Sequence, residues 1–447
     1  MTPSRSVQST KTRSKKVLRR AGRKVPFRHQ ACVSMLRRRR MSRASNTKGF
    51  VDDIFGQDFH VKRVQSLAGG VLGVLHAAML SIAVVGRAMA DVSGIKHKSG
   101  VKQIDRLLSN DGLNVDGLER TWLRYVVGGL PEVVVAMDWT DFDDDEHTTL
   151  CVYLVTRAGR ALPLLWRTTK KSLLRDNQTR LETEMLERMV DFAPQGTRFT
   201  VLADRGFGKT ELYECCAVLG IDYVIRFRDV ILVTDAEGNH GYAKEYLLPN
   251  GRPRMLLSSR VTGKKVPVPA IVVTKAKKMQ EPWCIATSLT KKTAADVVAL
   301  YGRRFTIEEA FRDTKDLHFG MGLSSTHIRN ANRRDRMLIL VALAQAFLTA
   351  LGQAGENAGL DKSLKTNTSA KRTLSLLNQG LCWYRALPMM PDERAGTLMD
   401  AFESLLRQHE YFGALFRCDM RGWLRYLGPD GFWLCCLGEA VQRFFHR

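Results

Sequence analysis

Glu132–Asp138 reads EVVVAMD and Phe199–Asp204 reads FTVLAD, two almost unbroken apolar runs that each end on an acid. Runs this short and this apolar predict strands covered on both faces, as in the parallel part of an α/β sheet. Around them the pattern alternates. Thr149–Thr156 and Ala161–Thr168 read as further strands joined by the Ala158-Gly159-Arg160 turn. Arg180–Val190 has helical periodicity, a second helix is expected from about Thr210 to Leu219, and Ile221–Arg228 is a fifth strand. A strand-rich stretch with Gly and Pro turns occupies about 229–282, after which Trp283–Ser288 returns as a strand and a helix opens near Ala294.

Three strands, a helix, a strand, a helix and a strand is the element order of the ribonuclease H-like fold, here interrupted by an insertion before its last helix. The expected class is therefore α/β: a ribonuclease H-like catalytic core over 129–333 with a β-rich insertion at about 229–282. A helical domain at 48–128, read as a DNA-binding module, precedes it, and a helical C-terminal region at 334–447 follows. Within the first helical segment, Ala68–Gly86 is apolar enough to raise a membrane span, but His76 interrupts it and Gly and Ala dilute it, so one buried helix is expected there. Met337–Leu351 is strongly apolar as well.

The net charge of +24 calls for a polyanionic partner, and its distribution matters. The first 50 residues carry 16 Lys or Arg and no Asp or Glu, which leaves +8 for the remainder. Residues 1–47 thus read as a disordered basic tail able to bind phosphates non-specifically, or as sequence upstream of a later start at Met35 or Met41. Nine cysteines without CxxC spacing argue against a zinc site or a disulfide framework. A reduced, cytoplasmic, nucleoid-associated chain with no membrane partner is expected.

The chemistry is expected around three acids. Tyr301, Arg304, Glu308 and Lys315, read as one helix at about 100° per residue, share an arc of about 60°, while Leu300, Ile307, Ala310 and Phe311 can face a core. The bland alternative is a solvated face on which Arg304 and Arg312 pair with Glu308 at i,i+4. In a ribonuclease H-like sheet the ends of the first and fourth strands are neighbours, so Asp138, Asp204 and Glu308 can converge. Three such carboxylates can hold two Mg²⁺ ions about 3.5–4 Å apart for in-line displacement at phosphorus. Asp141 is a rival ligand within the acid-rich run 141–147, which otherwise reads as a solvated loop. Ala203-x4-Gly208-Lys209-Thr210 also fits a relaxed phosphate-binding loop, although Asp204 would put a negative charge inside it.

At these residues the chain resembles the DDE transposases of the insertion sequence 4 family. Tyr301-x2-Arg304-x3-Glu308-x6-Lys315 reproduces the signature Y-x2-R-x3-E-x6-K, and Ala136–Asp141 and Leu202–Phe207 resemble the surroundings of the family's first and second acids. The resemblance runs from about Val51 to past Pro388, whereas the first 40 or so residues and the tail after about Arg417 depart from it. It implies that Asp138, Asp204 and Glu308 are catalytic metal ligands, with Mg²⁺ as cofactor and Mn²⁺ able to substitute. Tyr301, Arg304 and Lys315 would contact DNA phosphates, and Trp283 would occupy the place of a tryptophan that stacks where a base is flipped out. The implied partners are double-stranded DNA (terminal inverted repeats and target) and a second copy of the chain in a homodimeric synaptic complex. Alternatives are a DNA-binding relative made inactive by its altered C-terminus and a metal-dependent nuclease of the same fold.

Overall fold

Strand β1 (Glu132–Thr140) lies at the heart of the computed structural model, which describes residues 46–407 apart from 143–144, 157–158, 278, 316–320, 324–325, 327, 367 and 369–371. Residues 1–45 of the basic tail and the unmatched C-terminus fall outside the described residues, while 46–47 belong to the first helix. Both faces of β1 are covered over Val133–Met137, which is why its sequence is continuously apolar rather than alternating. β2 (His147–Leu154) and β3 (Leu162–Lys170) continue from it as an antiparallel meander. After α6 (Gln178–Phe192), β4 (Arg198–Ala203) pairs parallel to β1, and after α7 (Thr210–Val218), β5 (Asp222–Phe227) pairs parallel to β4.

The inserted strands do not form a body of their own. β6 (Leu232–Thr234), β7 (His240–Tyr242), β8 (Arg254–Val261) and β9 (Val266–Thr274) extend the same sheet through β10 (Trp283–Thr287), which pairs antiparallel to β5. The result is one ten-stranded sheet of order β3-β2-β1-β4-β5-β10-β9-β8-β6-β7. This mixed α/β architecture is consistent with a ribonuclease H-like fold.

The helices before the sheet correct one expectation. A first helix, α1, covers 46–55, followed by α2 (Val61–Ala77), α3 (Ile82–Ser93), α4 (His97–Leu108) and α5 (Val115–Val127). Ala68–Gly86 is thus not one helix: Ala78 adopts a left-handed conformation (φ 48°), its N–H closes α2 on the Val74 carbonyl, and α3 departs at 100°. The glycines within the apolar stretch serve packing. A Cβ on Gly86 would lie 2.4 Å from Val101 Cα, and one on Gly100 2.2 Å from the Gly86 oxygen, so α3 and α4 cross with their backbones in contact.

α10 (Ala331–Asn357) is long and apolar enough to cross a membrane, but 94% of its most apolar window is buried inside the chain. It packs on β3, α2, α4 and α5, and on α11 (Leu376–Ala386) and α12 (Asp392–Arg407). Its first turn reaches the outer edge of the sheet. There the Trp166 N–H donates to Glu119 Oε1 (2.9 Å), the Thr168 N–H to Asp335 Oδ1 (3.1 Å), and the Trp122 indole to the Pro163 carbonyl (2.8 Å). Side chains of α5 and α10 thus replace the strand that β3 lacks, which seals an otherwise open edge. The run 141–147 is not simply solvated either. Asp145 pairs with the buried guanidinium of Arg334 (2.5 Å), and His147 is buried at the start of β2. The five cysteines among the described residues are all free.

Candidate active site

Met137 faces Ala203 in the parallel β1–β4 pair, so one residue further along both strands reach their acids, Asp138 and Asp204. Asp204 terminates its strand. Its Oδ1 accepts the Gly206 N–H (2.8 Å) and caps the short 3-10 turn Arg205–Phe207. Glu308 comes from the far side, on α9 (Thr306–Lys315).

Arg304 ties these elements together. Its buried guanidinium donates through Nη1 to Asp138 Oδ2 (3.2 Å) and through Nη2 to Glu308 Oε1 (2.6 Å), and the same group lies over the Phe305 ring, with Cζ 4.8 Å from its centre. One cation therefore bridges acids 170 residues apart in sequence. Burial pushes the Asp138 carboxyl up to about 7, opposed by Arg304 and reinforced by the charges of Asp204 and Glu308. Lys315 closes the other side: its ammonium lies 5.7 Å from the Phe142 and Phe311 ring centres, and burial lowers its pKa against the opposing pull of Cys151, Asp141 and Asp138. Tyr301 is buried, in the field of Arg304, Arg226 and Asp204, and Trp283 meets it edge-on at 4.8 Å. Trp283 itself is half-buried.

The signature segment is not a continuous helix. α8 (Ala294–Gly302) gives way to a 3-10 turn at Arg303–Phe305 before α9 begins, which tightens the winding where Arg304 turns inward. Leu300, Ile307, Ala310 and Phe311 are buried as expected. Of the two arginines expected to pair with Glu308, only Arg304 does; Arg312 pairs with Glu309 (3.1 Å). The rival acid Asp141 pairs with Lys171 (2.9 Å).

The phosphate-loop reading fails on geometry. Lys209 Nζ donates to the buried carboxylate of Glu182 (2.9 Å), which also accepts the Trp139 indole N–H (2.9 Å). Gly208 is required because a Cβ there would lie 2.9 Å from the Arg226 carbonyl of β5. Neither residue is arranged to cradle a nucleotide.

Three carboxylates are hard oxygen donors of the kind that suits Mg²⁺ or Mn²⁺, and a divalent cation would offset both the burial that raises Asp138 and the smaller repulsion from Asp204 and Glu308. Among the described residues, however, no three His, Cys, Asp or Glu side chains are gathered closely enough to cage an ion. Arg304 holds Asp138 and Glu308 instead.

Residues 176–345 match the Transposase DDE domain family. The match supports a DDE transposase. The matched DDE domain runs from just before α6 into α10 and contains Asp204, Trp283, Tyr301, Arg304, Glu308 and Lys315, while Asp138 precedes it. No curated protein matches the chain. What the sequence did not announce is a second charged group beside Asp204, made of Arg205, Glu281 and Arg226. Only the adjacency of Arg205 to Asp204 could have pointed to it.

Proposed function

We propose that the chain is an insertion sequence 4 family transposase that moves its element by cut and paste, through divalent-metal-dependent strand cleavage and strand transfer. The observation that carries this reading is the convergence on Arg304 of Asp138 from β1 and Glu308 from α9, with Asp204 ending the adjacent strand. Asp138, Asp204 and Glu308 would hold Mg²⁺, or Mn²⁺ in its place, and the metal when bound activates the attacking oxygen and neutralises charge at phosphorus. The side chains do the rest. Arg304 orients two of the acids and, with Tyr301 and Lys315, meets the DNA backbone, while Trp283 offers a half-exposed indole face for a displaced base.

In this reading the partners are duplex DNA bearing the terminal inverted repeats, the target DNA, and a second copy of the chain in a homodimeric synaptic complex. The helical segment 48–128 engages DNA, 129–333 carries the chemistry with the insertion at about 229–282, and the C-terminal region from 334 packs its described helices, through Arg407, against this core. Its place of action is the bacterial cytoplasm, on the nucleoid. Purified full-length protein incubated with DNA ending in the element's inverted repeats should cut at those ends only when Mg²⁺ or Mn²⁺ is added. Cleavage that proceeds without added metal, or equally well in the Asp204→Ala variant, would refute the reading.

A further inference from the structure

Glu281 lies in the loop that leads into β10, two residues before Trp283. A single oxygen of its carboxylate, Oε2, accepts from two guanidinium groups: Arg205 Nη1 at 2.8 Å and Arg226 Nη2 at 2.9 Å. The two arginines come from different elements. Arg205 immediately follows Asp204, and Arg226 sits on β5 one step past Ile225, the partner of Ala203, so it flanks Asp204 on the neighbouring strand. Arg226 also donates to the Pro282 carbonyl (3.3 Å), and its buried Nε has no hydrogen-bond partner among the described residues. It lies close enough to Tyr301 to act on the phenol electrostatically.

Two guanidiniums directed at one anionic oxygen make an anion-binding arrangement, and the two non-bridging oxygens of a phosphodiester could take one guanidinium each. Glu281 is more than half exposed and so is Arg205, and exposed ion pairs contribute little net stability because water solvates both partners when they separate. The carboxylate can therefore leave Arg205 at little cost, and an incoming anion has to replace it at the less exposed Arg226.

We propose that Arg205 and Arg226 form a clamp for a DNA backbone phosphate beside Asp204, and that Glu281 occupies this clamp until DNA displaces it. The proposal rests on the transposase reading and adds to it a phosphate contact outside the signature residues, with a built-in competitor. Glu281 thereby opposes non-productive binding of DNA at the cleavage centre.

The test is the salt dependence of binding of the full chain to a duplex oligonucleotide. Removing one phosphate contact should lower the slope of log K against log salt by about 0.9, so Arg205→Gln combined with Arg226→Gln, which abolishes the clamp on its single phosphate, should lower it by about 0.9. The Arg205→Gln variant alone, which changes only an exposed side chain, should show part of that and guards against a folding defect at Arg226. Glu281→Gln should tighten binding severalfold in the wild-type background and have no effect when both arginines are absent. Unchanged slopes would overturn the clamp, as would an equal gain from Glu281→Gln in both backgrounds, which would mark a general charge effect. Parallel cleavage assays with the Asp204→Ala variant keep the two ideas apart. Cleavage that depends on Asp204, together with unchanged slopes, removes the clamp alone; cleavage indifferent to Asp204 removes the transposase reading.

Discussion

Two of the places where this molecule takes carboxylates out of water do so by opposite means. At the edge of β3, Glu119 and Asp335 are fully enclosed, each accepting a backbone N–H that the sheet would otherwise leave unpaired. At the end of β1, Asp138 receives the guanidinium of Arg304 but faces two further acids, Asp204 and Glu308. Burial is the leading influence in both places and pushes Asp138 and Asp335 alike up to about 7. A raised carboxyl pKa therefore does not separate structure from function in this protein. What separates them is the company: donors that complete a ladder at β3, and like charges acting on Asp138 at β1.

The sharpest way to break this comparison is to neutralise each set. Replacing Asp138, Asp204 or Glu308 by Ala should remove several kcal/mol of transition-state stabilisation, lowering the cleavage rate roughly a thousandfold or more. Binding to duplex DNA and the melting temperature should change little. A variant that binds and cuts normally would take its acid out of the site. Glu119→Ala should do the reverse, leaving the Trp166 N–H unpaired and taking from Arg188 the buried one of its two carboxylate partners, Asp116 being the other. A destabilisation of roughly 3 kcal/mol is expected, and denaturant melts will show whether the fold tolerates it with ease.

Asp335 gives the comparison a pH axis. Its folded-state pKa of about 7 lies above the roughly 3.9 of an unfolded aspartate. The folded chain therefore retains a proton that the unfolded chain releases. This contribution to stability is complete below about pH 4, declines as pH rises towards 7, and then levels off. Glu119 and Asp138 act in the same sense, so the informative quantity is the difference between the wild type and Asp335→Asn. The variant, whose amide oxygen can still accept from Thr168, should lose less stability between pH 5 and pH 8. Identical slopes would show that Asp335 is not the group that titrates.

A smaller effect distinguishes roles at Trp283. If its indole stacks on a displaced base, Trp283→Ala should cost about 1–3 kcal/mol at the second-strand step and leave the first nick near normal. A marked drop in melting temperature with an unchanged ratio of first nick to second-strand product would make it only the packing partner of Tyr301. Smallest of all should be Arg198→Ala, which removes an exposed pair with Glu132 at the opposite end of β1. Exposed ion pairs contribute about 0–1 kcal/mol, so a larger change in melting would mean that this end of the strand does more than solvate.

Much of the site is legible in the sequence because its signals are local. Apolar runs ending in Asp138 and Asp204 mark buried strands wherever they occur, and the spacing from Tyr301 to Lys315 survives the 3-10 turn that interrupts it. The partners of those residues are another matter. Helical spacing puts Arg304 on a stripe with Glu308, but nothing in its surroundings indicates that its other amino group reaches Asp138. Lys209 fits a phosphate loop by spacing, yet Glu182, 27 residues earlier, claims it.

By itself, the sequence determined which segments become strands and helices, the chain order of the acids, and the basic balance that calls for a polyanion. These follow from periodicity, composition and spacing, which act over a few residues. The tertiary structure alone decided that the inserted strands continue the core sheet, that α2 and α3 part at Ala78, and that α5 and α10 lend carboxylates to the β3 edge. It also decided that Glu281 bridges Arg205 and Arg226. Each of these depends on which surfaces meet once the apolar faces are buried. Pairings between residues tens to hundreds of positions apart are fixed by that packing and leave no periodic trace along the chain.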